Sequence, residues 1–358
     1  MSAAPRIGLA LSGGGFRATA FGLGCLRALA DCDLLRHVRV VSGISGGSLL
    51  AAMWAYGPED FADFEESVIA LLLSGLQAEL VRRTFTPAAA VRNVGSVGRA
   101  LVYNRARSHS RTDSLVAALG ARPFGQRLLG EVTHPDLATV LSATDMASGN
   151  AVRFGSQVTS CSAYGVITTA VPVAEAVAAS AAYPALLPAL IRHYEFRDHR
   201  GAVHRRQLVM TDGGVYDNLG LSPLLPGRSP QHSDHVYDLD YLIAVDAGRG
   251  RATRGAARFL PMRLKQAFDI TYGKTQDAAR TRIHLAGESG QIQGFVHAYL
   301  GMVDTKLPVP VNDLVTREQV ERFPTNFAPM DWPDIQAITV RGEQLSRVLL
   351  RHYCPTLH

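Results

Sequence analysis

Residues Val38 to Trp54 read VRVVSGISGGSLLAAMW and contain the strongest signal for the architecture of the protein. An apolar run rich in β-branched residues gives way at glycines to good helix formers, which predicts a strand, a sharp turn and a helix. Ser45 stands at the turn. Gly43 and Gly47, two residues to either side, leave room for strand and helix to pass closely. The pattern is typical of a nucleophilic serine, although a glycine-rich loop has the same composition.

A second glycine cluster precedes this turn. Residues 6–11 are predicted as a buried strand and residues 16–30 as a helix, so that the two strands and the helix form one βαβ unit. Such a unit places both turns at the carboxyl edge of the sheet, where α/β folds hold their ligands. Arg17 either braces the loop or holds a substrate phosphate. Backbone amides for an oxyanion are expected from Gly13, Gly14 and Gly15.

An aspartate is the candidate proton acceptor for Ser45. Residues 207–211 are predicted as a strand that ends at Asp212, and Gly213 and Gly214 follow it. A carboxylate at a strand end before two glycines is well placed to reach a neighbouring turn. Because a free aspartate has a pKa of about 3.9 and is a weak base at neutral pH, this hypothesis requires an apolar, desolvated site.

Three motifs in this order resemble those of the patatin-like phospholipase family, and in particular its bacterial serine acyl hydrolases. The family has a Gly-Gly-Gly-x-Arg loop near the N-terminus, then a Gly-x-Ser-x-Gly turn, then an Asp-Gly-Gly motif. They stand here at residues 13–17, 43–47 and 212–214, and the stretches 143–145 and 179–184 are also similar to the family. The matched motifs lie within residues 7–248, whereas residues 249–358 match less well.

The resemblance implies an α/β fold with three layers, α/β/α, a mainly parallel central sheet and a single domain over residues 1–358. It also implies that fatty-acyl esters of phospholipids or other lipids are hydrolysed at a membrane surface, without metal or organic cofactor. Ser45 would attack the ester carbonyl, and Asp212 would take the serine proton and return one to the leaving alcohol. The two turns around this dyad would be shaped by Gly43, Gly46, Gly47, Gly213 and Gly214.

Length and composition are those of a globular protein. Of the 358 residues, 47% are hydrophobic and 19% are charged, which excludes a disordered chain and allows one large or two smaller domains. No apolar stretch is free enough of glycine, proline and charge to serve as a signal peptide or spanning helix, so we expect a cytoplasmic protein that associates peripherally with membranes. Free thiols of a reducing compartment are expected at Cys25, Cys32, Cys161 and Cys354.

The basic character is concentrated in one segment. Residues 249–282 contain nine Arg and Lys against two Asp, and residues 256–279 are predicted as a helix. Three interpretations stay open: a solvated helix face, a surface for anionic phospholipid head groups, or a pocket for an anionic activator such as a nucleotide. Nucleic acid is not expected, since the segment lacks a recognisable binding module.

The other elements follow from periodicity. An amphipathic, core-facing helix begins after Asp60, continues past Leu80 and stops at Pro87, while residues 88–112 are either a mobile cap or a surface connection. Further helices are predicted over residues 113–119, 173–182, 317–322 and 342–352. Further strands are predicted over residues 138–144, 151–154 and 241–245.

Two other catalytic or cofactor sites fit parts of the pattern. A Ser-His-Asp hydrolase is one, with a base among His232, His235, His284 and His297, but that fold builds several strands before its serine turn. A dinucleotide site is the other, because residues 13–18 fit Gly-x-Gly-x-x-Ala. That site requires an acidic residue at the end of the second strand, which here ends Val-Val-Ser-Gly. A patatin-shaped binding protein without turnover is a third alternative.

Several polar residues have simpler explanations. His232 and His235, beside Asp234 and Asp238, have the spacing of metal ligands, yet a solvated surface turn explains them better. Turn formation likewise explains the residue pair 217–218. Asp145 and Asp246, each at the end of a predicted strand, are expected to tie loops together.

Overall fold

A computed structural model describes residues 4–77, 110–184, 186–250 and 259–357. Its strands are β1 (Ile7–Leu11), β2 (Val38–Gly43), β3 (Ala138–Asp145), β4 (Ala151–Gly155), β5 (Thr159–Cys161), β6 (Gly165–Ile167), β7 (Leu190–Arg197), β8 (Val203–Asp212), β9 (Tyr241–Asp246) and β10 (Gly294–Tyr299). Its α-helices are α1 (Gly15–Asp31), α2 (Gly46–Tyr56), α3 (Phe61–Ser74), α4 (Arg111–Ala121), α5 (Val173–Ser180), α6 (Gly214–Asp217), α7 (Leu260–Glu288), α8 (Arg317–Val320) and α9 (Trp332–Tyr353).

The sheet has a parallel half and an antiparallel half. The parallel half runs in the order β10-β9-β1-β2-β3. From β3 onwards the pairs are antiparallel, and β8 returns to pair with β3, so that β3 to β8 close a six-stranded ring. The prediction of a mainly parallel sheet is therefore only partly right. Strands β3 to β6 are joined by a few residues each, which permits hairpins, whereas parallel neighbours need a crossover of about a dozen residues.

Helices cover both faces of the parallel half. Successive residues of a strand point to opposite faces, and along β1 Leu9 and Leu11 belong to one apolar cluster while Ala10 belongs to another. The first cluster contains side chains of α1, α2, α3 and α9, and the second is closed by α7 and by residues 219–225. This half of the molecule has the α/β/α layering that the resemblance implied.

The C-terminal helix packs into the first βαβ unit. Helices α1 and α9 are in close contact at Gly24. If this residue carried a Cβ, that atom would lie 2.7 Å from the carbonyl carbon of Thr339. Arg341 of α9 is completely buried, and its guanidinium donates to the carbonyl oxygens of Leu300, Met302 and Val315 and pairs with Asp304. Residues well beyond the matched motifs therefore help to form the core beneath the glycine loop.

Some predicted bounds need correction. Helix α3 faces the core, as predicted, but it ends at Ser74 because Gly75 adopts φ +69°. Leu80, Pro87 and residues 88–109 lie outside the described residues, and α4 begins at Arg111 behind a capping box of Ser110 and Asp113. Helix α9 starts long before residue 342 and α7 continues past residue 279. Strands β5, β6, β7 and β10 were not predicted.

The structure also bears on two expectations from composition. The four cysteines are free thiols, as predicted. Within the described ranges, none of the helices is both long enough and apolar enough to cross a bilayer.

Candidate active site

Ser45 occupies the predicted turn between β2 and α2. Its backbone has φ +52° and ψ −118°, a conformation that costs free energy for a residue with a side chain. The glycines around it have no room for a Cβ: on Gly43 it would lie 2.6 Å from the Cα of Ser48, and on Gly47 2.6 Å from the carbonyl carbon of Leu11. The strained turn is thus held by direct backbone contact on both sides.

A serine from α5 supports this turn from beneath. The Ser45 amide donates to Ser180 Oγ at 3.0 Å, and the Ser180 hydroxyl donates to the carbonyl oxygen of Ser142 at 2.6 Å. Ser48 Oγ lies 2.7 Å from the same hydroxyl. Sequence reasoning noted Ser180 by resemblance alone and assigned it no role. No local sequence pattern indicates this role of Ser180, because its hydrogen-bond partners come from distant parts of the chain.

Asp212 stands at the end of β8, where the strand pairs with Ala143 of β3. Its amide donates to the carbonyl oxygen of Ala182, which lies just beyond the C-terminal end of α5. The same helix end therefore positions both the aspartate and the serine. The Gly214 amide donates to Asp212 Oδ1 at 2.7 Å. Gly213 packs against the carbonyl group of Ser142, which leaves no space for a side chain there.

Burial changes the acidity of Asp212. Its side chain is only 3% exposed, and this desolvation raises the pKa of Asp212 to about 6, against the lowering effects of the Gly214 amide and of a hydrogen bond with the Ser45 side chain. The desolvated site that the sequence hypothesis required is therefore present. A carboxylate with this pKa is largely ionised at pH 7, yet is a stronger base than a free aspartate.

The glycine loop lies directly beside the serine. Gly14 and Gly15 adopt φ +152° and +58°, and a Cβ on Gly13 would lie 3.4 Å from the Cβ of Ser45. The Gly13 amide donates to the carbonyl oxygen of Asn218 at 3.0 Å. The amides of Gly14 and Gly15, by contrast, have no acceptor among the residues that the structure describes. Two of the three predicted oxyanion donors are thus available.

Arg17 is buried in the first turn of α1, directly after the glycine loop. Its Nε donates to the carbonyl oxygen of Ala247 at 3.1 Å and its Nη1 to that of Phe323 at 3.0 Å. Burial, together with the nearby Arg249, lowers the pKa of Arg17 to about 10. Of the two roles left open by the sequence, these contacts favour bracing the loop.

The strand-end acids Asp145 and Asp246 tie neighbouring segments together, as predicted, and Asp217 at the end of α6 organises a turn. Asp145 accepts hydrogen bonds from the Ser148 amide and hydroxyl, and Asp217 accepts from the amides of Leu219 and Ser222. Asp246 accepts from the Gly248 amide and pairs with Arg280 and His297. Although burial acts in the opposite direction, His297 and Arg280 hold the pKa of Asp246 well below its usual value.

The histidines are placed elsewhere. In the part of the chain that the structure describes, none hydrogen bonds to Ser45 or Asp212. His235 is buried beside Tyr237, and burial, with Arg153 and Arg228, lowers the pKa of His235 to about 3. The interpretation of a solvated turn is therefore wrong for this residue, because its ring closes the core beside β4. The described residues contain no group of three or more potential metal ligands.

The geometry also bears on the dinucleotide alternative. At the N-terminus of α1, where a pyrophosphate would bind, the backbone of Asn326 packs against Gly15 and Phe16. Its carbonyl oxygen accepts from the Phe16 amide at 2.8 Å, and a Cβ on Gly15 would lie 2.8 Å from its nitrogen. The glycines therefore serve close backbone packing beside Ser45.

Solved structures with the same fold exist. Human GIVD cytosolic phospholipase A2 is similar with a TM-score of 0.57 and 13% identity, over 96% of this chain and 59% of that chain. Its complex with methyl gamma-linolenyl fluorophosphonate gives 0.52 and 12%, over 96% and 57%. The chain spans less than two thirds of the human protein, and at these identities the likeness concerns the fold alone.

The sequence comparison is more specific. A comparison with curated proteins finds no match. The family model described as patatin-like phospholipase matches residues 9–225, which is more than half of the chain and includes the glycine loop, Ser45 and Asp212. The chain belongs to the patatin-like phospholipase family.

Proposed function

We propose that this protein is a lipid acyl hydrolase of the phospholipase A or lysophospholipase type, with Ser45 as nucleophile and Asp212 as general base. One observation carries the proposal: the hydroxyl of a serine held at φ +52° interacts with a buried aspartate whose pKa is about 6. Membership of the family supports the reaction class. The dyad needs no third residue, because the backbone positions both side chains.

The proposed reaction has two halves. Ser45 Oγ attacks the ester carbonyl carbon while Asp212 accepts the hydroxyl proton, and the amides of Gly14 and Gly15 stabilise the oxyanion. When the carbon–oxygen bond to the alcohol breaks, Asp212 returns the proton to the leaving oxygen. Water then attacks the acyl-serine, with Asp212 again as base, and releases the fatty acid. Asp212 is suited to both directions because its pKa lies close to the working pH.

We propose that the exposed part of α7 contacts the membrane. Large apolar side chains of its first turns face solvent, and an exposed arginine, Arg263, accompanies them. The same helix passes the active site further along, so lipid bound here would be close to Ser45. Apolar side chains with a basic residue suit the interface of an anionic bilayer. The exposed apolar residues are Phe259, Leu260, Met262, Leu264 and Ile270.

Part of the basic segment has a structural role. Arg280 pairs with Asp246 and Asp277, and Arg249 donates to the carbonyl oxygen of Phe323. These contacts engage two arginines of the segment within the protein, while residues 251–258 lie outside the described ranges. We therefore favour the lipid surface over the activator pocket.

A Met262→Ser, Leu264→Ser double variant should bind anionic vesicles more weakly than the wild type, while its hydrolysis of a soluble ester is unchanged. Unchanged vesicle binding would refute the assignment.

We also propose that residues 1–358 form a single domain. The support is the packing of α9 against α1, with the buried Arg341 tying the C-terminal part to β10 through Leu300. Truncation before residue 332 should therefore yield an unfolded protein, which circular dichroism would detect. A truncated chain that remains folded and active would argue for two domains.

The decisive experiment measures fatty-acid release from mixed phospholipid vesicles. The wild type should release fatty acid, whereas Ser45→Ala and Asp212→Asn should each lose at least about 10³-fold in rate with the fold intact. Ser346→Ala is a matched control, because it removes a buried serine hydroxyl on α9, outside the site. Release by Ser45→Ala at the wild-type rate would exclude the dyad. No turnover of vesicles or of a soluble short-chain ester would favour a binding protein.

A further inference from the structure

The hairpin of β7 and β8 extends past the edge of the sheet at which Ser45 lies. Strand β8 is antiparallel to β3, and their pairing covers only Met210 to Asp212, opposite Ala143 to Asp145. Residues 203–209 therefore continue beyond the end of β3, for about 20 Å at the rise of an extended strand. Because β3 is parallel to β2, which leads into Ser45, the hairpin extends on the catalytic side of the molecule.

The first half of β8 is accessible on both faces. Every residue from Val203 to Gln207 is exposed, although successive side chains alternate between the two faces of the strand. Along the edge away from β7, these residues have no neighbouring strand within the part of the chain that the structure describes. An exposed apolar side chain, Met146, lies at the base of the hairpin, where its amide donates to the carbonyl oxygen of Val209.

Four exposed arginines surround the tip of this hairpin. None of them forms an ion pair with a residue that the structure describes. At the base, by contrast, Arg192 pairs with Asp113 and Glu175. Because neighbouring strand residues point to opposite faces, the positive charge is presented on both sides of the tip. The four arginines are Arg197 on β7, Arg200 in the turn, and Arg205 and Arg206 on β8.

The acids of the hairpin do not cancel this charge. Asp198 belongs to the turn, where its carboxylate accepts from the amides of Arg200 and Ala202 and lies 3.4 Å from His204 Nε2. Glu195 stands opposite Arg205 in the strand pair and offsets one arginine. Four arginines against two acids leave a net positive charge. A second copy paired along the free edge would set arginine against arginine, which opposes self-association.

Helix α7 extends from the same edge of the sheet. Ile283 and Ala286 pack on the sheet, and Arg280 reaches Asp246 at the end of β9. The turns before Arg280 therefore continue outwards, to the exposed apolar side chains that we assign to the membrane. A bilayer that presents an ester to Ser45 has to approach this edge, so it meets the hairpin as well as α7.

We propose that the tip of the β7–β8 hairpin is a second membrane-contacting surface, which binds the head groups of anionic phospholipids. The inference rests on the proposed function, because it takes the substrate to be a lipid in a bilayer. The hairpin supplies positive charge and α7 supplies apolar side chains, so the two surfaces together hold the catalytic edge against the bilayer. Binding to anionic vesicles, but not to neutral ones, should therefore depend on the arginines.

The test measures vesicle binding in a Ser45→Ala background, so that no lipid is hydrolysed during the measurement. Arg200→Gln, Arg205→Gln removes two charges whose side chains have no hydrogen bond or ion pair to a described residue. Its affinity for vesicles of phosphatidylcholine with phosphatidylglycerol should fall roughly 10- to 30-fold. Its affinity for vesicles of phosphatidylcholine alone should not change. Arg200→Lys, Arg205→Lys keeps both charges and should bind as tightly as the parent protein.

Arg39→Gln, Arg351→Gln is the matched control. It removes two arginines near the opposite edge of the sheet, at the start of β2 and at the end of α9, and should leave vesicle binding unchanged. Equal losses in both double variants, an equal loss on neutral vesicles, or no loss at all would overturn the inference. Normal vesicle binding with lost binding of polyglutamate would also overturn it, in favour of an acidic protein partner. Because binding is measured without turnover, a wild type that hydrolyses no ester would separately reject the proposed function.

Discussion

The buried Asp212 predicts that an inactive variant should be more stable than the wild type. The pKa of this carboxyl is about 6 in the folded protein against an ordinary value of 3.8. At 1.36 kcal/mol for each unit, the ionised side chain lowers the free energy of unfolding by about 3 kcal/mol at pH 7. Asp212→Asn removes this charge and keeps an oxygen for the Gly214 amide. We expect it to gain about 1–3 kcal/mol while hydrolysis is lost.

The sign gives the effect a definite pH dependence. Because the folded-state pKa is raised, the folded protein binds more protons than the unfolded chain between pH 3.8 and about 6, so the stability of the wild type falls as pH rises through this window. The advantage of Asp212→Asn should therefore be absent below pH 4 and complete above pH 6. Urea denaturation at pH 4, 5, 6 and 8 measures the free energy of unfolding of both proteins.

A control separates this effect from a general preference for asparagine. Asp217→Asn makes the same chemical change in a buried aspartate whose two oxygens both accept backbone amides, from Leu219 and Ser222. An amide nitrogen cannot accept one of these bonds, so this variant should lose stability at pH 8. An Asp212→Asn protein that is no more stable than the wild type at pH 8, or whose gain is the same at pH 4, would refute the desolvation argument.

Three further predictions follow from the same geometry. If Asp212 is the base, kcat/KM on a soluble ester should rise with pH to a plateau with a midpoint near 6, and a rate that is flat from pH 5 to 8 would contradict this. Ser180→Ala leaves the buried Ser45 amide without its acceptor. The free energy of unfolding, measured by urea denaturation, should fall by about 1–3 kcal/mol, and kcat should fall at least about tenfold. A variant with wild-type stability and rate would show that the turn at Ser45 does not depend on Ser180. Gly24→Ala forces α1 away from the carbonyl group of Thr339 and should lower the free energy of unfolding by about 1–3 kcal/mol. At Gly273 an added Cβ would have no atom within 4 Å apart from its chain neighbours and its own helix backbone, so Gly273→Ala should raise the free energy of unfolding by up to about 1 kcal/mol, as measured by thermal melting. Equal effects of these two glycine changes would be inconsistent with the observed helix contact.

Much of the candidate site was predictable because its parts are local. The turn at Ser45 requires small residues at fixed offsets, and the glycine loop requires residues that tolerate positive φ. Both can therefore be recognised from the residue types alone. The order of the motifs then led to the family that the sequence comparison identifies. The same local signals placed β1, β2, β3 and α1 correctly.

Other features of the fold could not be recognised from short stretches of the sequence. Strands β5 and β6 are too short for an alternating pattern to distinguish them from loops, and the closure of β8 on β3 joins segments far apart in the chain. The end of α3 at Gly75 was missed because the apolar spacing continues beyond it. His235 was assigned to a surface turn because its neighbours are polar, but long-range packing buries its ring.

Local residue types are sufficient to identify the groups that meet the chemical requirements of the site: a serine between glycines, a glycine loop before a helix, and an aspartate at a strand end. These requirements act over a few bonds. The pKa of Asp212 and the support of Ser45 by Ser180, in contrast, follow from tertiary packing alone. Desolvation and contacts between distant residues depend on how the whole chain packs, and no short stretch of sequence contains that information.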